Sequence, residues 1–428
     1  MADSDTIYAL SSGSPPAAIA VVRISGPAAG AAMEALAGRL PEPRRATLGT
    51  LCDPASRELL DRALLLWFPG PGSSTGEDLA ELHLHGGRSV VTGVLGALGG
   101  LAGLRSAEPG EFTRRSFQNG RIDFAEAEGL GDLLAAETEA QRRAALMLAG
   151  GALSRMVEEW QQRLLGLTAQ LEAVLDFSDE GDVEEQLLPE WRDALKSLRG
   201  EMEAALSRPP AERLRDGIRV VIAGPPNAGK STLLNALVGR EAAITSAIAG
   251  TTRDLVEAPT GIGGVPFLLV DTAGLRETLD EIEAIGVDRA HQSLTSADIV
   301  LWLGTPEDCP DVSRAILVQP KADLENDTRL ADIAVSAKTG AGMDDLVRLL
   351  LERSKALLPQ EGEVALNARH SAILRGCLGS LEAAAAAQDP LIASEELRMA
   401  RSSLDRITGR AGVEEMLDAL FGNFCIGK

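Results

Sequence analysis

The stretch Gly224–Ser231, GPPNAGKS, decides how this chain is read. It follows the apolar run Val220–Ala223 and leads into the helix-forming Thr232–Leu237, TLLNAL. A G-x-x-x-x-G-K-S pattern thus sits in the strand-to-helix turn that a phosphate loop needs. There the backbone from Asn227 through Ala228 and Gly229 to Thr232 is placed around phosphate oxygens. Lys230 reaches the outer phosphates, and the Ser231 hydroxyl faces Mg2+.

Downstream, GTTRD places Thr252 to complete the magnesium shell. DTAG follows the strand-like FLLV. It sets the Asp271 carboxylate near the metal, with Thr272, Ala273 and the Gly274 amide toward the γ-phosphate. Later come Lys321 and Asp323 in KAD, and Ser336, Ala337 and Lys338 in SAKTG. A carboxylate after a strand accepts both N1–H and the exocyclic amine of guanine, so the combination selects GTP over ATP. Two positions depart from the GTPase pattern: Pro320 stands where the base motif N-K-x-D has asparagine, and Leu275 where many small GTPases carry a water-orienting glutamine. Proline offers no side-chain amide, so weaker nucleotide affinity is expected. The acidic segment Leu279–Gly286 supplies candidates to orient water.

Working outward, IRVVIA, FLLVD, IVLWL, AILV and IAVSA read as parallel strands of one α/β sheet. They place a G domain at 216–362. It is flanked by helical sequence at 121–215 and 363–428. Asp123 and Glu126 are spaced as a capping box before Phe124, Ala127, Leu130 and Leu134, and Leu397, Ala400, Leu404 and Ile407 share one later helical face. The acidic DFSDEGDVEE reads as a solvated loop. Residues 1–120 mix β-branched runs with Gly/Pro turns, an α+β domain. The expected fold is multidomain α/β plus α, with a P-loop α/β domain inserted into a discontinuous helical one.

The chain has 428 residues, a net charge of −22 and 45% hydrophobic residues, enough for packed cores. That charge disfavours broad electrostatic binding to nucleic acid, so any RNA contact must be local or shared with a partner. The four cysteines, Cys52, Cys309, Cys377 and Cys425, have no paired spacing, which argues against a disulfide framework or a zinc ribbon. The opening MADSDTIYAL lacks a basic start and apolar run, and no long apolar stretch occurs, so no membrane association and a cytoplasmic location are expected. His83 and His85 fall on one strand face without a further ligand cluster, against a metal pair. The terminal FCIGK fits a prenylation box badly. Leu417, Leu420 and Phe421 form a helical face that would anchor it.

With VVRISG, LWFPGPGSSTGEDLAELHLHGG, PGEFTRRSFQNGRIDFAEAEGL, AGTTRD, DTAGLRE, EELRMARSSLDRITG and FCIGK in this order, nearly the whole chain resembles the MnmE (TrmE) family of tRNA-modifying GTPases. The resemblance implies an N-terminal folate-binding domain that forms a homodimer, and a mobile G domain. It also implies a flavoprotein partner of MnmG/GidA type, with which the family modifies C5 of the tRNA wobble uridine using a tetrahydrofolate one-carbon unit. The cofactor would be 5-formyl- or 5,10-methylene-tetrahydrofolate, contacted by Arg23, Glu81, Arg121 and Lys428; the family commonly has lysine at the Arg121 position. K+ would be held by Asn227, Ser246, Ile248 and Thr251, the last three in a GTP-binding loop of Ser246, Ala247, Ile248, Ala249, Gly250, Thr251 and Thr252 that closes over the ion, and Glu283 would orient attacking water. Cys425 is expected to take part in the modification step. Arg114 and Arg115 lie in a family motif, against the plainer reading of a solvated basic pair. The alternatives are a GTP-operated switch in ribosome assembly or signalling, and a folate-dependent methyltransferase acting without the flavoprotein.

Overall fold

In the computed structural model, residues 5–177, 189–240, 257–272, 293–324, 330–411, 414–422 and 424–427 are described. The chain divides into two compact units, Met1–Gly131 with Asp405–Lys428, and Asp132–Leu404.

In the first unit, alternating burial along β1 (Thr6–Leu10), β2 (Ile19–Ser25), β3 (Thr47–Cys52), β4 (Leu59–Phe68), β5 (Leu79–His85) and β6 (Leu104–Ser106) builds one sheet of order β3-β4-β5-β2-β1-β6. All its pairings are antiparallel except β1 with β6. The inner face carries Ala20, Val22, Ile24, Leu65, Trp67, Leu82 and Leu84, which pack on α1 (Ala29–Ala37) and α2 (Arg88–Gly99). The period of two sends Val21, Arg23, Leu64, Leu66, Glu81 and His83 to the opposite, outer face. Toward β1 that face is covered by α3 (Glu111–Gln118), whose Phe112 joins Ile7, Ala9 and Ala107 in a small core. Toward β3 it is open, with Leu48 68% and Leu64 45% exposed.

The expected capping box forms at the start of α4 (Phe124–Ala135): the Glu126 amide donates to Asp123 Oδ1 at 2.8 Å and the Asp123 amide to Glu126 Oε2 at 2.8 Å. In the second unit follow α5 (Glu139–Ala149), α6 (Ala152–Phe177), α7 (Pro189–Ser207) and α8 (Glu212–Arg215). The sequence then turns to strands. The nearly continuous burial of β7 (Ile218–Ala223) and β9 (Val265–Asp271) fits a parallel sheet covered on both faces. With β8 (Glu257–Ile262), β10 (Ile299–Trp302), β11 (Ala315–Gln319) and β12 (Ile333–Ala334) the order is β12-β11-β10-β7-β9-β8. β8 pairs antiparallel with β9, an edge strand without a sequence signal of its own because Pro259 and Gly261 interrupt its apolar pattern. Helices α9 (Lys230–Arg240) and α10 (Met343–Ser354) cover one face with Leu233, Leu237, Leu346 and Leu350.

After the sheet come α11 (Ala368–Ala386), which packs on α7, and α12 (Pro390–Thr408), whose Leu397, Ala400, Leu404 and Ile407 are all buried. α13 (Glu414–Gly422) belongs to the first unit. Its Phe421, with Phe424 and Ala127, forms an apolar cluster to which Phe117, Leu417 and Leu420 add. The fold is multidomain α/β plus α, as the sequence implies.

Candidate functional site

The turn from β7 into α9 places the loop Gly224–Ser231. Asn227 takes φ of +60°, a left-handed conformation that asparagine tolerates better than most residues. Lys230 is buried at the first position of α9, and its Nζ donates to the carbonyls of Gly224 at 3.1 Å and Pro225 at 2.9 Å. The lysine is therefore folded over the concave side of the loop. One residue on, the Ser231 hydroxyl donates to Asp271 Oδ2 at 2.5 Å, which joins the head of α9 to the end of β9. Thr272 Oγ1 donates back to the Ile222 carbonyl at 3.0 Å, fixing the segment after β9 against β7. A hydroxyl and a carboxylate in contact form an all-oxygen donor set of the kind Mg2+ takes, so these two residues fit that ion.

Beside the loop lies a cavity of about 220 Å³, lined among others by Ala228, Thr232, Pro320, Asp323, Ala337 and Lys338. Asp323 Oδ1 accepts from the Ser336 hydroxyl at 2.6 Å, and that hydrogen bond holds the Asp323 carboxyl below the usual carboxylate range. Ser336 is fully buried and its Oγ accepts from the Thr339 amide, so the carboxylate is braced from behind. Lys321, at φ +57°, donates from Nζ to the Asn227 carbonyl at 3.0 Å. The base motif is thereby tied to the phosphate loop at the position next to Pro320. Asn227, Ala228, Gly229, Lys230, Ser231, Thr232, Asp271, Thr272, Lys321, Asp323, Ser336, Ala337 and Lys338 are described; Ser246 to Thr252, Ala273, Gly274 and Glu283 lie outside the described residues. Of the four expected potassium ligands, only Asn227 is described.

The second constellation sits on the outer face of the first unit's sheet. Register puts Arg23 directly opposite Glu81, and the guanidinium donates from Nε at 3.1 Å and Nη2 at 2.8 Å to Glu81 Oε1. His83 Nε2 lies 3.2 Å from the other oxygen, Oε2. Burial works against ionisation of Glu81, but Arg23 and then His83 outweigh it and hold the carboxyl below its ordinary value. The Arg23 guanidinium stacks 5.8 Å from the Phe112 ring centroid, a support that a sequence pattern alone could not disclose. Arg121 lies in the exposed turn after α3, with its side chain against Gly76. His85 pairs with Asp61 at 2.7 Å, and among the described residues no His, Cys, Asp and Glu cluster could hold a metal.

Arg115 overturns the solvated-pair reading. It is 8% exposed and bonds to Asp5 at 2.8 Å, Glu77 at 3.1 Å and Glu111 at 3.1 Å. Arg114 pairs with Asp418 and stacks on Phe421. The network holds α3, and with it Phe112, in place under Arg23.

The tail is docked in this unit. Ile426 forms a bridge with Pro109, and the Gly110 amide donates to the Cys425 carbonyl at 3.4 Å. Gly427, at φ +94°, lies so close to the Leu10 carbonyl that a Cβ has no room. Only glycine satisfies both conditions. The Cys425 side chain is exposed, and Lys428 lies outside the described residues.

A family model described as the MnmE helical domain matches residues 124–425, and one described as the GTP-binding protein TrmE N-terminus matches residues 6–121. A protein of Rhizorhabdus wittichii described as tRNA modification GTPase MnmE is 61% identical over 99% of this chain and 97% of its own length. Proteins of the same description from Erythrobacter litoralis and Novosphingobium aromaticivorans are 56% and 55% identical, each over 99% of this chain and 100% of its own length. The chain belongs to the MnmE (TrmE) family of tRNA modification GTPases.

Proposed function

We propose that this protein hydrolyses GTP and couples the reaction to modification of C5 of the tRNA wobble uridine, as a homodimer working with a flavoprotein of MnmG/GidA type. The observation that carries the nucleotide half is the braced Asp323 carboxylate in a cavity contiguous with the phosphate loop, tied to it by Lys321. Asp323 accepts the N1–H and exocyclic amine of guanine. The loop amides and Lys230 bind the phosphates, and Ser231 and Thr252 would hold Mg2+ with the Asp271 carboxylate beside it. When bound, the two cations, K+ and Mg2+, would supply positive charge that offsets the negative charge developing on the γ-phosphoryl group. Asn227, Ser246, Ile248 and Thr251 are the proposed K+ ligands, and Glu283 the residue that orients attacking water.

The modification half is supported by the relatives' description and by the docked tail, which presents the Cys425 thiol in the unit whose outer sheet face carries Arg23 and Glu81. We assign that face, with Arg121 and Lys428, to a tetrahydrofolate derivative. The net charge of −22 fits a protein that meets tRNA locally rather than by a broad basic surface. Among the described residues no helix is long and apolar enough to cross a membrane.

The test pairs two assays. GTP turnover is compared in KCl and NaCl at equal ionic strength, where faster turnover in KCl is expected and equal rates remove the potassium role. Wobble-uridine nucleosides are then analysed in a reconstituted mixture of this protein, the flavoprotein, the folate and tRNA. Cys425→Ser should leave hydrolysis intact and abolish the modified nucleoside. Full modification by that variant returns Cys425 to a structural role, and an unmodified wobble uridine with the native protein overturns the modification half.

A further inference from the structure

The outer-face carboxylate carries more hydrogen bonds than a simple ion pair. An ionised carboxylate offers about four acceptor sites. Arg23 Nε and Nη2 both donate to Oε1, which accounts for that oxygen, while His83 approaches Oε2 alone at 3.2 Å. Arg23 and His83 hold the Glu81 carboxyl below its ordinary value, so the carboxylate is ionised and has no proton to give, and the proton in the His83 contact resides on Nε2 of the imidazole. One acceptor site then remains, on Oε2, and its direction is set by the bond His83 makes to the same atom.

The ring is held for this task. His83 stands opposite Val21 on β2 and Leu64 on β4, so apolar side chains flank it on both sides at cross-strand distance. Its side chain is 30% exposed, half sunk between those neighbours. Arg23 is in turn stacked on Phe112, so both partners of Glu81 are themselves braced.

We propose that His83 is a positioning residue for ligand recognition by Glu81: it fixes Oε2 so that the remaining acceptor site meets an N–H donor of the 2-aminopyrimidinone ring of a reduced folate. The inference rests on the assignment of this face to a folate. His83 acts through Glu81, and what it contributes is orientation of an already ionised group. A glutamine at the same position carries an N–H donor at comparable reach and can take over the role; a leucine fits between Val21 and Leu64 but donates nothing.

The experiment is calorimetric titration of the full-length protein with 5-formyltetrahydrofolate, and with p-aminobenzoylglutamate as a ligand lacking the ring. His83→Leu is expected to weaken 5-formyltetrahydrofolate binding by about 12- to 160-fold, the scale of one hydrogen bond to a charged group. His83→Gln is expected to restore affinity to within about 3-fold, as one donor replaces another. Glu81→Gln should weaken binding at least as much, and the Glu81→Gln, His83→Leu double variant no further than Glu81→Gln alone, because the two act as one unit. Binding of p-aminobenzoylglutamate should not respond to His83→Leu, and the melting temperature should stay within a few degrees of the native protein. If Glu81→Gln loses affinity while His83→Leu binds normally, or if His83→Gln fails to rescue, the positioning role is overturned and the folate assignment stands. If the native protein binds no 5-formyltetrahydrofolate, both fall.

Discussion

The phosphate loop and the outer sheet face both gather charged and polar groups, yet they hold charge in opposite ways. In the loop the work falls to backbone: a short contiguous segment turns between β7 and α9, and Lys230 rests on the carbonyls of Gly224 and Pro225. On the sheet face it falls to side chains. Arg23 and Glu81 come from strands far apart in sequence, Phe112 and Arg115 from a helix beyond them, and the buried guanidinium of Arg115 bonds to three carboxylates that span residues 5 to 111. A backbone site is insensitive to what surrounds it. A side-chain site is only as good as the network that supports it.

That contrast predicts its largest effect in the network. Removing one partner of a buried ion pair leaves an uncompensated charge and costs about 3 to 5 kcal/mol. Arg115→Leu should therefore lower the unfolding free energy of the first unit by that amount, read as an earlier transition in urea, while GTP turnover survives under native conditions. Acid should act in the same direction. Burial pushes the Glu111 carboxyl up, but Arg105, the Glu108 amide and Arg115 together hold it below its ordinary value. A carboxyl depressed by folding stabilises fully above its unfolded pKa, near 4.3, and that contribution is lost as pH falls through the lower folded value. The native protein should thus lose stability below about pH 4.3, and Arg115→Leu, having already lost part of the pairing, should show a shallower acid limb. Equal slopes would place the network's contribution elsewhere.

The same contrast explains what could be read from the sequence. The phosphate loop, DTAG and the base motif are local strings whose spacing is their chemistry, so Lys230, Ser231, Asp271 and Asp323 are legible as pattern; in the structure Ser231 bonds to Asp271, and Lys321 ties the base motif to the loop at Asn227. The parallel strands announced themselves as continuous apolar runs. The edge strand β8 did not, because Pro259 and Gly261 break its pattern and its identity comes from pairing with β9. On the sheet face the resemblance pointed to Arg23 and Glu81, but nothing local reveals that they form one ion pair, that His83 shares the carboxylate, or that Arg115 is buried. Those facts follow from strand register and from helix α3 closing over β1, which are properties of the folded chain.

A smaller effect, and the complementary one, is expected in the loop. Lys230→Ala removes a charged donor from the phosphates and should reduce GTP turnover by on the order of 10² to 10³, as loss of a preorganised donor does elsewhere. Among its partners are the carbonyls of Gly224 and Pro225, which water can serve instead, so the melting temperature should move by no more than a few degrees. A large drop in melting temperature with turnover barely changed would invert the comparison and make the lysine a structural element.

The smallest effect concerns Pro320. It lines the base cavity at the position where the N-K-x-D motif has asparagine, and proline brings no amide to the base or to the loop. Yet the tie between base motif and phosphate loop is not lost, because the neighbouring Lys321 adopts φ of +57° and donates to the Asn227 carbonyl at 3.0 Å. What is missing is then one neutral hydrogen bond to the nucleotide, which contributes about 0.5 to 1.5 kcal/mol. Pro320→Asn should accordingly tighten GDP binding by roughly 2- to 12-fold, measured by calorimetry. The asparagine also frees a backbone conformation that the proline ring had fixed, which works against the gain. An unchanged dissociation constant would mean that the Lys321 bridge already supplies all the order the cavity needs, and that a base site can be held through its backbone tie to the loop without the asparagine amide.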